Sequence, residues 1–142
     1  MKTPDLLTGR FRSEGLRVTP QRECIFRHLW GDDSHPTVEV LHDRVRAEMT
    51  TVSLKTVYQT VHDLADMGEV RLIDLGTGTQ RVDPNIEQAH HHLVCVRCGM
   101  IRDVPVPETT PSVSARDRRG FSVDSVEVNY RGVCDACASA TD

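Results

Sequence analysis

The chain has 142 residues, enough for one large domain or two small ones. Its hydrophobic content is 38% and its aromatic content only 4%, so two half-size domains would need a metal ion or a dimer interface for stability. A net charge of −4 excludes DNA binding through bulk positive charge; any DNA contact must use a local basic surface. We expect a cytoplasmic protein, because no apolar run approaches a membrane span and the N-terminus lacks a signal-peptide pattern.

The first third of the chain predicts three helices. A threonine followed by proline at Thr3-Pro4 and again at Thr19-Pro20 starts two of them, which end near Gly15 and Trp30. A third helix follows Pro36, with Thr37 as its N-cap. Apolar residues at helical spacing give each helix one side for a core. The apolar residues so assigned are Leu6, Leu7, Phe11, Ile25, Phe26, Leu29, Trp30, Val38, Leu41 and Val45.

A fourth helix is predicted over residues 54–67, with Ser53 as N-cap and Gly68 at its end. One side of it is an apolar stripe, formed by Leu54, Val57, Val61 and Leu64. The opposite side is polar, with Lys55, Thr56, Tyr58, Gln59 and His62.

Residues 70–75 and 79–82, joined by Gly76-Thr77-Gly78, predict a β-hairpin. Helices followed by a polar-faced helix and a hairpin are the order of a winged helix-turn-helix, so the fold class is α+β and residues 1–82 are its first domain. A boundary follows at Asp83-Pro84-Asn85, and residues 83–89 are interpreted as a hinge.

A second domain is predicted over residues 90–142. Strands are expected over 93–95, 100–106 and 123–130, and a short helix over 112–119.

Four cysteines in the second domain have the spacing C-x2-C-x35-C-x2-C, namely Cys95, Cys98, Cys134 and Cys137. Two such pairs can complete a tetrahedral zinc shell. Because cytosolic proteins seldom carry disulfides, the pattern favours a structural zinc over a redox dithiol pair or unrelated core cysteines. Cys24 lies within an apolar helix and is interpreted as a buried core residue.

A second set of potential metal ligands combines histidines with carboxylates, whose nitrogen and oxygen atoms are chemically harder than sulfur. His90 and His92 alternate along a strand, so both rings can face one side, and Asp103 lies on the following strand. Asp83 ends the hairpin and His35 precedes the third helix. Nitrogen and carboxylate oxygen suit Fe(II), Mn(II), Zn(II) or Ni(II). On spacing alone, solvated loop histidines are the stronger interpretation.

Other histidines are not expected to bind metal. His91 should point away from its two neighbours. His28, His42 and His62 fall on predicted helices, where surface or core roles are expected.

These motifs together resemble the ferric uptake regulator (Fur) superfamily over nearly the whole chain. The resemblance is carried by Leu16-Arg17-Val18-Thr19-Pro20-Gln21-Arg22, Ser34-His35-Pro36-Thr37, Ser53-Leu54-Lys55-Thr56-Val57-Tyr58, and Val82-Asp83 with the run from His90 to Gly99. It implies a homodimeric, metal-dependent transcriptional repressor that binds double-stranded operator DNA. The second domain is then a small α/β dimerisation domain.

The resemblance also implies residue roles. The regulatory ligands become His35, Asp83, His90, His92 and Asp103, holding Fe2+ or Mn2+, with Ni2+ or Zn2+ as alternatives. The structural Zn2+ ligands become Cys95, Cys98, Cys134 and Cys137. The DNA contacts become Lys55, Thr56, Tyr58 and Gln59, with Arg17 and Arg22 on phosphates.

Asp103 is similar to the peroxide-sensing (PerR/CatR-like) branch, since iron-sensing members more often have glutamate there. Thr110 and Val126 stand where a third metal site of some members would need polar ligands. The branch implies that peroxide is the signal and that a histidine ligand is oxidised. Control of iron uptake, or of nickel, is the alternative.

Two other classes of protein fit the sequence less well. A zinc hydrolase or deaminase needs an open zinc position and a nearby general base, whereas four cysteines would close the zinc shell, so we predict no enzyme activity. A zinc-ribbon interaction or metal-buffering protein would need neither the polar-faced helix nor the hairpin. Neither a membrane nor any small-molecule substrate other than peroxide is expected as a partner.

Overall fold

The computed structural model of the chain describes residues 1–109 and 111–140. Thr110, which was assigned to a missing third metal site, lies outside the described residues. The chain forms two compact units, Met1–Gln88 and Ala89–Asp142. Helices make up most of the first unit and a mixed β-sheet forms the second, so the predicted α+β class is confirmed.

Four helices precede the first strand in the described chain: α1 (Pro4–Ser13), α2 (Pro20–Leu29), α3 (Val38–Glu48) and α4 (Leu54–Asp66). The side chains of Thr19, Thr37 and Ser53 accept hydrogen bonds from backbone N–H groups in the first turns of α2, α3 and α4. These are the N-caps that the sequence predicts, and they fix where each helix begins.

The core of the first unit lies between these helices. The rings of Phe11 and Phe26 meet edge to face, with centroids 4.8 Å apart. On α4, Val57, Val61 and Leu64 are fully buried, as their spacing predicts. Each buried aliphatic side chain contributes about 1.5–3 kcal/mol to folding.

Three of the predicted core residues are exposed instead, and those assignments were wrong: Leu6, Trp30 and Leu54. Leu6 lies about 100° around α1 from buried Leu7. Trp30 follows the end of α2 with ψ at 117°, so it has left the helical face. Leu54 is the first residue of α4, where the helix has only begun.

The predicted hairpin is present with shorter strands. β1 (Arg71–Ile73) pairs antiparallel with β2 (Arg81–Asp83), with Leu72 opposite Val82. The N–H of Val82 donates a 2.9 Å hydrogen bond to the carbonyl of Pro36. The hairpin is thereby tied to the segment that leads into α3.

The second unit is built around β3 (His90–Cys95), the central strand of a three-stranded sheet. It pairs antiparallel with β4 (Ile101–Pro105) and parallel with β5 (Asn129–Gly132). Short helices α5 (Ala115–Arg118) and α6 (Asp135–Ser139) complete the described residues.

Two sequence expectations for this unit need correction. The strand expected over 123–130 contains only Asn129 and Tyr130, since the imperfect alternation before them supports no ladder. Helix α6 was not expected from the sequence. Among the described residues, no helix is both long and apolar enough to cross a lipid bilayer.

Candidate metal centres and nucleic-acid interface

Four thiols meet in the second unit. The Sγ atoms of the four predicted zinc ligands all lie within 4.8 Å of one another, and those of Cys98 and Cys134 are 3.7 Å apart. Sulfurs bound at 2.3 Å to a tetrahedral ion stand about 3.8 Å apart. The cysteines are unoxidised and gathered in one cluster, so the interpretation as unrelated core cysteines was wrong.

Local backbone geometry holds the two Cys-x-x-Cys segments. After Cys95 the chain turns sharply through Gly99, whose φ of 72° favours glycine, and the Gly99 N–H donates to the Cys95 carbonyl at 2.9 Å. Cys134 stands at the start of α6 and Cys137 lies one turn further on. Because the two segments come from a tight turn and a helix start, all four thiols converge without a long loop.

The electrostatics of this cluster favour bound thiolate. The N–H of Cys134 donates to Sγ of Cys95 at 3.4 Å. This bond, with a second from the Cys98 backbone, lowers the pKa of the Cys95 thiol to about 6. Hydrogen bonds that the Cys137 thiol donates to the Cys98 and Cys134 side chains raise its pKa to about 12. Four thiol sulfurs this close together share few protons, and a divalent cation can replace those protons, so the donor set fits zinc.

In the first unit, His35 and Asp83 face each other in a fully buried position. Nε2 of His35 lies 3.7 Å from Oδ1 of Asp83, and both side chains are 0% exposed. Nδ1 of His35 lies 2.9 Å from the carbonyl of Asp33. Because a carbonyl only accepts, Nδ1 donates to it, which leaves Nε2 as the ring nitrogen that faces the carboxylate. Two such electron-rich atoms suit a cation.

The hairpin of β1 and β2 determines that Asp83 lies beside His35. Asp83 is the last residue of β2, and Arg81 of the same strand donates from its guanidinium to the His35 carbonyl at 3.2 Å. His35 itself has a φ of 49°, which is uncommon for a residue with a side chain. Strain of that kind concentrates at functional positions.

In the second unit, three further donors share one face of the sheet. Nε2 of His90 and Nε2 of His92 are 3.2 Å apart. Oδ1 of Asp103 lies 3.6 Å from the first nitrogen and 3.9 Å from the second. The register explains the grouping, because His92 stands directly opposite Asp103 on the neighbouring strand. Two nitrogens and a carboxylate oxygen suit a borderline or hard divalent ion.

His91 points to the other face of β3, as alternation predicts. It is only 2% exposed, its ring lies 6.4 Å from that of Tyr130, and neither ring nitrogen has a hydrogen-bond partner among the described residues. The structure therefore separates His91 from the His90–His92 face.

The polar side of α4 is the candidate nucleic-acid interface. Lys55, Tyr58 and Gln59 are exposed and Thr56 is half-buried. The Tyr58 hydroxyl donates to Glu39 of α3, and Gln59 donates to Asp63 at 2.8 Å. The helix thus presents these groups outward while α3 and α4 hold them in place.

The two arginines expected on phosphates differ from each other. Arg17 is exposed. Arg22 lies 2.6 Å from Asp63 with its side chain 13% exposed, and its guanidinium sits over the Phe11 ring at 5.2 Å. Arg22 therefore links α1, α2 and α4, and its phosphate contact stays a prediction.

One further donor cluster was missed from the sequence. Cys24, His28 and Glu48 each offer a ligand atom, and these atoms lie within 4.8 Å of one another. The sequence does indicate part of this cluster, because Cys24 and His28 are four residues apart on one predicted helix and so share a face. No local sequence pattern predicts that Glu48, 20 residues after His28, lies beside them.

A helical unit with a wing, a four-cysteine cluster and histidine–carboxylate donors define a metal-dependent DNA-binding regulator. Residues 13–131 match the ferric uptake regulator family, and the chain belongs to that family. Regulators of this family bind operator DNA as dimers and are not enzymes. The four-cysteine cluster indicates a structural zinc, and the histidine–aspartate donors indicate a regulatory metal.

Relatives include the peroxide-responsive repressor PerR of Staphylococcus aureus (strain Mu50 / ATCC 700699). It is 30% identical over 127 residues, which is 89% of this chain and 85% of that protein. A zinc-bound manganese uptake regulator is 30% identical with a TM-score of 0.73, covering 94% of this chain and 99% of that one. The Helicobacter pylori ferric uptake regulator Fur, with three functional metal binding sites, has a TM-score of 0.77 at 19% identity, covering 97% and 93%.

Proposed function

We propose that this protein is a metal-dependent repressor that senses hydrogen peroxide through a regulatory ferrous site. The observation that carries the proposal is Asp103, whose carboxylate lies 3.6 Å and 3.9 Å from the two imidazoles of the same sheet face. The peroxide-responsive relative at 30% identity supports it.

We further propose that His35 and Asp83 bind the same ion as His90, His92 and Asp103. Support comes from the chemistry of each donor set, since both offer imidazole nitrogen and carboxylate oxygen. An ion shared by the two sets would favour one DNA-competent arrangement. Moving a population from 1:99 to 99:1 requires roughly 5.5 kcal/mol of differential binding.

The chemistry that iron supplies when bound is the two-electron reduction of peroxide beside its ligands. At such a site, one oxygen atom of peroxide would be inserted at a ring carbon of His35 or His90, and the other would leave as water. The imidazole loses the two electrons that the peroxide gains. An oxidised ring donates less well, so metal affinity falls and the operator is released. Manganese at the same donors would support DNA binding without this oxidation.

Operator recognition is assigned to the exposed side of α4. Tyr58, with its neighbours Lys55, Thr56 and Gln59, would enter the major groove, as the second helix of a helix-turn-helix does. Arg17 and Arg22 would contact phosphates.

A second candidate function is control of metal uptake. The manganese uptake regulator with 30% identity favours it, and N/O ligation accepts manganese, iron and nickel alike. In that case metal occupancy alone would set repression, and peroxide would have no direct effect.

The deciding experiment is operator binding with Fe(II) and with Mn(II), each before and after a brief pulse of dilute peroxide. The proposal expects release only from the iron form, with the mass of one oxygen atom added to a peptide holding His35 or His90. Release without modification, or no release, would favour uptake control. His90→Ala should abolish metal-dependent operator binding while leaving the helical circular-dichroism signal intact; His42→Ala, on α3 and outside every donor set, is the matched control.

A further inference from the structure

We infer that Cys24, His28 and Glu48 form an additional binding site for a divalent cation of the zinc class. The site lies within the first unit, where α2 and α3 pack together. It is independent of the proposed sensor and of the four-cysteine cluster.

The geometry supplies three different donors at one point. Nε2 of His28 lies 3.2 Å from Oε2 of Glu48. The Cys24 thiol and the Glu48 carboxylate are hydrogen-bond partners. All three ligand atoms lie within 4.8 Å of one another. Bonds of 2.0–2.3 Å to a tetrahedral ion need about 3.3–3.8 Å between ligand atoms, so a small movement of the partly exposed His28 and Glu48 side chains would complete the site.

The surroundings allow an ion to enter. Cys24 is fully buried, whereas the side chains of His28 and Glu48 are 27% and 51% exposed. The thiol therefore forms the floor of the site and the other two donors form its open rim. Arg27 contacts Oε1 of Glu48, so Oε2, which faces His28, is the oxygen offered to the ion.

The donor set selects the metal class. One sulfur, one nitrogen and one oxygen suit Zn2+ or Co2+ better than Mg2+, Ca2+ or Mn2+, which prefer oxygen ligands. A thiolate and a carboxylate together neutralise a divalent charge. Three protein ligands leave a fourth position for water.

Cobalt titration of the full-length protein, loaded with one zinc per chain, tests this inference. Thiolate-to-cobalt charge transfer absorbs in the near ultraviolet, and the His35, Asp83, His90, His92 and Asp103 donors contain no sulfur. We therefore expect a charge-transfer band characteristic of one thiolate, with one Co2+ per chain bound in addition to any Co2+ at the sulfur-free donors, while mass spectrometry shows the zinc retained.

Single substitutions test whether the charge-transfer band comes from an ion bound by Cys24, His28 and Glu48. His28→Gln, at a partly exposed position, should weaken Co2+ binding by more than the roughly 10- to 100-fold that loss of a hydrogen-bond partner of a ligand costs; Glu48→Gln should do the same. Cys24→Ser should abolish the band. His42→Gln, a histidine of α3 outside the cluster, should leave it unchanged. Absence of the band, or an unchanged band in His28→Gln and Glu48→Gln, would overturn the site and leave a hydrogen-bonded link between helices.

Discussion

The hydroxyl of Tyr58 donates a 2.5 Å hydrogen bond to the carboxylate of Glu39. The bond joins α4 to α3 at the candidate nucleic-acid interface, where both residues are exposed. It holds the pKa of Glu39 below its ordinary value, and it raises that of Tyr58. Glu39 therefore stays negatively charged beside Tyr58, the residue assigned to DNA contact.

Glu39→Gln should tighten operator binding. The amide still accepts from Tyr58, but the charge that repels nearby phosphates is gone. Fluorescence anisotropy with labelled operator should show a several-fold lower Kd, with the affinity for Mn(II) unchanged. Weaker binding would mean instead that Glu39 itself contacts a base.

Tyr58→Ala should weaken operator binding by roughly 1–3 kcal/mol, the range of a specific base contact. Metal affinity and the melting temperature should stay near those of the wild type, because the side chain is exposed. A Tyr58→Ala protein with normal operator affinity would remove α4 from the proposed interface.

The Arg22–Asp63 pair should contribute more to stability than to DNA binding. Both side chains are largely buried, so Arg22→Ala leaves a carboxylate without its partner and should cost roughly 3 kcal/mol of unfolding free energy. Urea titration measures this loss.

Arg17→Ala is the matched comparison, since Arg17 is exposed. It should leave stability unchanged and reduce the salt dependence of operator binding by about one phosphate contact. Equal stability of the two variants would show that the Arg22 pair does not hold α2 against α4.

Stability should fall in acid partly through Glu69. Burial acts to raise its pKa, but hydrogen bonds from Lys2 and Arg10 outweigh burial and hold the pKa below the ordinary value. A carboxylate with a lowered folded pKa stabilises the fold above its unfolded pKa of about 4.3. That contribution is lost as the pH falls through the folded pKa.

Glu69→Gln should therefore lower the unfolding free energy at neutral pH and lose less of it between about pH 5 and pH 3. Chemical denaturation across that range measures both effects. Glu14→Gln, at an exposed position, should follow the wild-type curve. An identical acid slope in Glu69→Gln would assign the acid sensitivity to other carboxylates.

Cys98→Ser should release the structural zinc and unfold the second unit, since zinc binding contributes on the order of 10 kcal/mol to domains of this kind. Native mass spectrometry reads both zinc content and dimer content. Cys24→Ser, outside that cluster, should retain the four-cysteine zinc. A folded, dimeric Cys98→Ser protein would contradict a structural role for these thiols.

By itself, the sequence determined the local features of this protein. Threonine and serine caps set the starts of α2, α3 and α4, and two Cys-x-x-Cys pairs specified a sulfur cluster. Alternation along a strand put His90 and His92 on one face. Each of these depends on neighbours a few residues apart, where backbone geometry alone fixes what can meet.

Only the tertiary structure decided which distant side chains come together. It opposed His92 to Asp103 through strand register, placed Asp83 against His35 through the hairpin, and directed Arg22 to Asp63. It also brought Glu48 to Cys24 and His28. Such contacts depend on how helices and strands pack, which is set by the summed burial of many side chains and is not written in any short motif.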